Sequence, residues 1–322
     1  MKPPSIYISG LYRSGTTLLA NILNSHSKIS ITYGTVHFMR NSYNKYHPIS
    51  DNYERLVLDT RKRILNKWEI DFDYEGLIKE LNEQKQDITQ ALVYDQLMRS
   101  FLKLSAGDIW GEKTNVEWEG LLPFASLFPN GKAIHIVRDP RAVLASFKYF
   151  TFHPEPMYLD AIFSARAMFD FIEQKEIVEN DQIMLLFYED LIKHPNEKVQ
   201  QLCDFLNVDF EEDMINRMAE SSGPYKANSS FKKSVSGISD NSLDIWKEKL
   251  SNVDIYLCEK FLRPYLKKYG YSFENITLGA EDELELKELI NHPFIAKRIR
   301  YLEDNGTGQQ AFPDTPGAYE AF

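Results

Sequence analysis

Near the amino terminus a short β-prone run, Ile6-Tyr7-Ile8-Ser9, leads through Gly10-Leu11-Tyr12-Arg13-Ser14-Gly15-Thr16-Thr17 into the apolar Leu18-Leu19-Ala20-Asn21-Ile22-Leu23. This order of strand, glycine loop and helix constrains the fold most. The first backbone N–H groups of a helix have no partner inside it, and the helix dipole adds partial positive charge, so such a junction is an anion site. The spacing Gly10-x-x-x-x-Gly15 matches the Walker A frame, but Thr16 stands where that frame has Lys, and Arg13 lies inside the loop. The loop is therefore expected to hold a phosphate and to handle what is attached to it differently. A glycine pair alone also makes a plain turn. The contiguous Arg13-Ser14-Gly15-Thr16-Thr17 ahead of an apolar helix favours the anion site.

Four further strands are expected at Ile29–Thr32, Asp108–Gly111, Lys132–Val137 and Gln182–Phe187. The last two are continuous apolar runs, as in strands covered on both faces. Between the runs at Ile29–Thr32 and Asp108–Gly111, residues 52–104 carry Leu56, Ile64, Leu77, Ile78, Leu81, Leu92, Leu97 and Phe101 at helix-like spacing. More helices are expected at Asn196–Leu206 and Val253–Tyr269. Strands alternating with helices predict an α/β domain, a parallel sheet with helices on both faces. The domain is expected to span residues 1–275, with a helical insertion at about 34–105. Residues 276–322, acidic and then rich in Gly and Pro, read as a C-terminal extension whose end can move.

Asp+Glu number 47 against 37 Lys+Arg, a net charge of -10. That argues against general nucleic-acid binding, so a phosphate site would be a local exception on an acidic surface. The two cysteines, Cys203 and Cys258, allow neither a zinc pattern nor a disulfide framework. Met1-Lys2-Pro3-Pro4 runs straight into the first strand without the pattern of a secretory signal, and no apolar run approaches the roughly 20 residues of a membrane span. A cytoplasmic chain without a membrane span is the expectation; oligomeric state is unreadable.

A second anion site is expected after the fourth strand, at Arg138-Asp139-Pro140-Arg141-Ala142-Val143-Leu144-Ala145-Ser146. Asp139 suits the N-cap and Pro140 the first helical position. Arg138 then stands at the carboxyl end of a strand, where open α/β sheets place ligands. Ser146, about two helical turns on, joins it to grip one anion, remote from the first loop. A capped helix with surface arginines is the alternative.

Together these residues resemble the sulfotransferases that use 3′-phosphoadenosine 5′-phosphosulfate (PAPS). Tyr12-Arg13-Ser14-Gly15-Thr16-Thr17-Leu18-Leu19 resembles the family's 5′-phosphosulfate loop, and Val137 to Ser146 its 3′-phosphate motif. Gly111-Glu112-Lys113-Thr114, Tyr188-Glu189-Asp190-Leu191 and the loop from Ser230 to Ser239 ahead of Trp246 also match, in the family's order, over residues 5–272. The Arg-Ser-Gly-Thr-Thr form is similar to the bacterial and tyrosylprotein branch. The resemblance implies a P-loop-type sulfotransferase fold. Arg13, Ser14, Gly15, Thr16 and Thr17 would bind the 5′-phosphosulfate, Arg138 and Ser146 the 3′-phosphate, and Tyr188 would lie near the adenine, unless it is a core tyrosine. Lys232 or Lys233 would reach the 3′-phosphate, unless both serve solubility.

The implied reaction moves a sulfuryl group to a hydroxyl, or an amine, of a small molecule or glycan. Positioning and charge stabilisation dominate such transfer. No metal is expected, because the moving group carries less charge than a phosphoryl group and no metal-ligand spacing occurs. Arg13 and the helix start would stabilise the leaving phosphate, with Lys113 as a second cation. The base is open. In the cytosolic branch a His follows the Lys-Thr pair; here it is Asn115. His37 is the first candidate, Glu112 the rival, then His153; His135 reads as core. The aromatic stretch with Tyr43, Tyr46, Tyr53 and Trp68 either lines an acceptor pocket or is helical core. Two other readings stay open: a P-loop small-molecule kinase or NTPase, and a non-catalytic nucleotide-binding protein.

Overall fold

The five apolar runs pair as one parallel sheet. β1 (Ile6–Gly10), β2 (Ile29–Tyr33), β3 (Ile109–Lys113), β4 (Lys132–Val137) and β5 (Ile183–Phe187) lie in the order β2-β3-β1-β4-β5. The structure is a computed structural model that describes residues 4–84, 87–149, 155–216 and 241–309. Alternation within β1 assigns its side chains to two cores. Tyr7 joins Trp110, Phe124, Val137, Leu144, Phe169 and Leu262 on one face. Ile6 and Ile8 join Leu19, Ile22, Ile134, Ile136 and Leu202 on the other. Helices Thr16–Asn24 and Pro195–Leu206 cover the second face. Helices Pro140–Lys148, Asp160–Gln174 and Asn252–Lys268 cover the first. This is the expected α/β architecture.

β3 runs two residues further than its apolar content predicts. Glu112 and Lys113 are strand residues, paired in register with Thr32 and Tyr33 of β2. Charged side chains hide a strand from an apolar pattern, yet both are buried here.

The chain leaves β1 for β2 and β3 on one side and for β4 and β5 on the other. Such a reversal opens a crevice at the carboxyl ends of the strands. Residues 34–105 supply the helices Ile49–Trp68, Tyr74–Asn82 and Gln90–Leu102 between β2 and β3. Their buried stripe of Leu56, Ile64, Leu77, Leu81 and Leu97 joins the first-face core, with Tyr43, Tyr46 and Tyr53 half-buried against it. At the other end, helix Pro293–Asn305 docks onto Asp160–Gln174, and helix Ala280–Asn291 packs against Pro293–Asn305 and Asn252–Lys268. Ile295 is buried, Arg298 pairs with Asp160 at 2.6 Å, and the Thr307 hydroxyl and Gly308 N–H donate to Asp170. The end of the extension, residues 310–322, lies outside the described residues.

His135 sits in the middle of β4 at 0% exposure, and neither ring nitrogen has a hydrogen-bond partner among the described residues. Burial alone pushes its pKa from the usual 6.5 down to about 3. The unfolded chain therefore takes up a proton that the folded chain refuses, and stability falls as pH drops from 6.5 toward 3. By this linkage His135 removes about 2–3 kcal/mol between pH 7 and pH 4.5. Urea unfolding at both pH values should show His135→Leu losing that much less than wild type. An equal acid loss in both proteins would exclude His135 as the responsible group.

Candidate active site

The loop between β1 and helix Thr16–Asn24 is built to leave the helix start uncovered. Leu11 C=O accepts from both Ser14 N–H (3.2 Å) and Ser14 Oγ (2.7 Å), which closes a tight turn. Arg13 and Gly15 take positive φ, 69° and 102°. A Cβ on Gly15 would lie 2.5 Å from the Tyr188 ring, so glycine is needed both for φ and for space. Gly15 is the N-cap and no side chain caps the helix. Its first-turn N–H groups remain available to an anion. Thr16 and Thr17 begin the helix, with the Thr16 hydroxyl donating to Asn115 Oδ1 at 2.9 Å.

The second motif has the expected local form. Asp139 accepts from Arg141 N–H as N-cap, and Pro140 opens the helix. Its site is not remote from the first loop, however. Arg13 Nε donates to Ser146 Oγ at 2.8 Å, and Arg138 Nη1 donates to the Arg13 carbonyl at 2.9 Å. The reason is sheet order: β4 neighbours β1, so the loops that follow them abut. Tyr188, which starts the helix after β5, places its ring against Gly15 and 4.3 Å below the Arg138 guanidinium. Burial first, and the Arg138 charge second, lower the Arg13 pKa, so the cleft favours a negative ligand. Arg141 has a different task. It is buried, binds Asp139 and Glu259, and stacks 4.1 Å from Trp246, tying this loop to helix Asn252–Lys268.

On the other side of β1, Lys113 and Glu112 end β3 facing opposite ways. The Lys113 pKa is brought down to about 8, by burial first and then by the Arg13 charge, with Glu117 opposing. Glu112 is at 0% exposure and accepts from His37 N–H, Phe38 N–H (3.2 Å) and the Tyr94 hydroxyl. Burial raises its pKa. Its oxygens are occupied in holding the turn that carries His37. Arg63 holds the same turn from behind, donating to the Thr35 and Val36 carbonyls. His37 takes positive φ, and its Nδ1 lies 2.5 Å from Glu117 Oε1. Gly34 leaves room beside Nε2; a Cβ there would come within 3.3 Å.

The site thus gathers Arg13, Ser14, Gly15, Thr16, Thr17, Arg138, Ser146 and Tyr188 on one side of β1, and Lys113, Glu112 and His37 on the other. His135 is apart from them, inside the sheet. Lys232, Lys233 and His153 lie outside the described residues. Three contributors were missed. Asn115 and Glu117 follow β3 closely, and their nearness to Lys113 was the available signal. Arg63, on a helix of the insertion, gave none. Among the described residues no group of three His, Cys, Asp or Glu side chains is placed to hold a metal ion, and no helix is long and apolar enough to cross a membrane.

Comparison with known proteins agrees with this geometry. The profile of the sulfotransferase family matches residues 4–212. A protein-tyrosine sulfotransferase of Drosophila melanogaster is 24% identical over 220 residues, 66% of this chain and 40% of that protein. The mouse (Mus musculus) sulfotransferase 1 family member D1 is 28% identical over 111 residues, 30% of this chain and 38% of that protein. The matched regions are thus about two fifths of these relatives' lengths. Among solved structures, the sulfotransferase domain from the curacin biosynthetic pathway aligns with a TM-score of 0.53 at 21% identity, covering 84% of this chain and 99% of that one. The sulfotransferase domain of the Synechococcus PCC 7002 olefin synthase aligns with 0.51 at 22%, covering 81% and 96%. The family profile covers well over half of the chain and the folds agree: the chain belongs to the sulfotransferase family.

Proposed function

We propose that this chain transfers the sulfuryl group of PAPS to a hydroxyl of a small molecule or glycan, in line and without a metal. The observation that carries the reading is the convergence of Arg13, Lys113 and Arg138 around an uncapped helix start, in a chain of net charge -10. Arg138 and Ser146 would hold the 3′-phosphate, the phosphate loop the 5′-phosphosulfate, and Tyr188 would flank the adenine. The Walker A lysine of a kinase or NTPase is absent, since Thr16 follows Gly15.

In the transfer, the acceptor oxygen bonds to sulfur as the bond from sulfur to the 5′-phosphate oxygen breaks. The electron pair stays on the phosphate. Arg13, Lys113 and the helix start stabilise that charge. The acceptor proton goes to His37 Nε2. With Nδ1–H held by the Glu117 carboxylate, the lone pair lies on Nε2, and Glu117 stabilises the imidazolium that forms. Glu112 is a positioning residue in this scheme, because its oxygens already hold the His37 turn.

Calorimetry with 3′-phosphoadenosine 5′-phosphate (PAP), adenosine 5′-phosphate and ATP with Mg²⁺ tests the donor. PAP should bind best, and Arg138→Ala should weaken it by roughly 10- to 100-fold, as for a lost charged hydrogen bond. Preference for ATP with Mg²⁺ would return the chain to the kinase reading. No binding of any nucleotide would exclude both.

An acceptor screen with PAPS then tests the base. His37→Ala should lower turnover by about 10²–10⁴-fold, and Glu117→Gln should lose part of the same factor. Unimpaired turnover in His37→Ala would assign the base elsewhere.

Lys113 must carry its proton to stabilise the leaving phosphate, so kcat/KM should fall as pH rises through about 8. Lys113→Arg should shift that fall beyond the measurable range. A pH profile identical in wild type and Lys113→Arg would exclude Lys113 as its source.

A further inference from the structure

One side-chain pair joins the donor loop to the segment that carries Glu117, the partner of the base, and the mechanism above gives it no task. Thr16, the first residue of the uncapped helix, donates its hydroxyl to Asn115 Oδ1 at 2.9 Å. That bond orients the amide: with the oxygen turned to Thr16, the NH₂ group faces away from it, and an amide NH₂ has two protons to donate. Asn115 is half-buried, and no hydrogen bond to its Nδ2 occurs among the described residues. The backbone on both sides is fixed. Thr114 N–H and Oγ1 both donate to the Ile8 carbonyl, at 2.7 and 2.9 Å, and Val116 N–H donates to the Gly10 carbonyl at 2.9 Å. Lys113 stands two residues before Asn115 and Glu117, the partner of His37, two after. Asn115 therefore presents a fixed neutral donor beside the helix start.

We propose that Asn115 is a further catalytic residue whose Nδ2–H donates to a non-bridging oxygen of the sulfuryl group. The proposal rests on the PAPS reading above. No bond to Asn115 forms or breaks; the amide holds the group that moves while the cations hold the phosphate that leaves. A neutral donor suits a group whose oxygens share a single negative charge. Asn115 could instead serve only to hold Thr16, and the two roles differ in what they sense. A residue that holds Thr16 acts on the whole nucleotide. A donor to the sulfuryl group acts on PAPS and has nothing to bind in PAP.

The test is the ratio of dissociation constants for PAPS and PAP, measured by calorimetry on the full chain. Asn115→Ala should weaken PAPS about fivefold or more relative to PAP, the loss of one hydrogen bond. Asn115→Asp keeps an acceptor for Thr16 and removes the N–H, so it should shift the ratio at least as far; it also serves if the alanine variant does not fold. Equal weakening of both nucleotides, or of neither, in the folded variants overturns the proposal. Wild-type protein that binds neither PAP nor PAPS overturns the donor reading itself, and this inference with it.

Discussion

A carboxylate cannot be buried cheaply, and Glu112 is buried completely. It sits near the end of β3 and must be supplied with donors. The donors come from the segment inserted between β2 and β3: the backbone N–H groups of His37 and Phe38 and the hydroxyl of Tyr94. Tyr94 in turn stacks on Phe38 at 4.0 Å and packs against Trp110, next but one to Glu112 on the same face. The polar requirement of one side chain thus fixes the start of the insertion on the sheet. His37 is held by this arrangement at the edge where the strands end.

β1 imposes the complementary constraint. It is flanked by β3 and β4, and its backbone also accepts from the segment after β3, through Ile8 and Gly10. Tyr7 adds a hydrogen bond from its hydroxyl to the Glu117 carbonyl at 3.0 Å. Lys113, Asn115 and Glu117 are therefore set against the phosphate loop by the same strand that feeds it. On the far side, β4 delivers Arg138 and its helix returns Ser146 to Arg13. The phosphate loop and the His37 turn are parts of one crevice rather than of two lobes.

Much of this was legible in the residues. All five strands were, two as continuous apolar runs and three as short β-prone ones, and so was the cap at Asp139-Pro140, because its chemistry is local. The phosphate loop was legible because glycine spacing and an anion-binding helix start are both sequence properties. What escaped depended on pairing over long distances. Two charged residues at the end of β3 broke the apolar pattern that predicts strands. Glu117 gained its meaning only from His37, 80 residues away. The presumed separation of the two anion motifs failed because sequence distance says nothing of strand order: Arg13 and Ser146 are 133 positions apart, yet they share a hydrogen bond.

The cluster of like charges in the crevice follows from the same geometry. The Arg138 charge helps to lower the Arg13 pKa, and Lys113 is buried near Arg13 at a reduced pKa. This gathering of like charges is costly. The folded chain tolerates it because each cation stands on a well-supported element: Arg138 follows β4 over the Tyr188 ring, and Lys113 closes β3 in register with Ile8 and Tyr33. Arg13 is held by Ser146. An anion bound between them would relieve the repulsion. A local positive site on an acidic protein also favours anions over neutral ligands of the same shape.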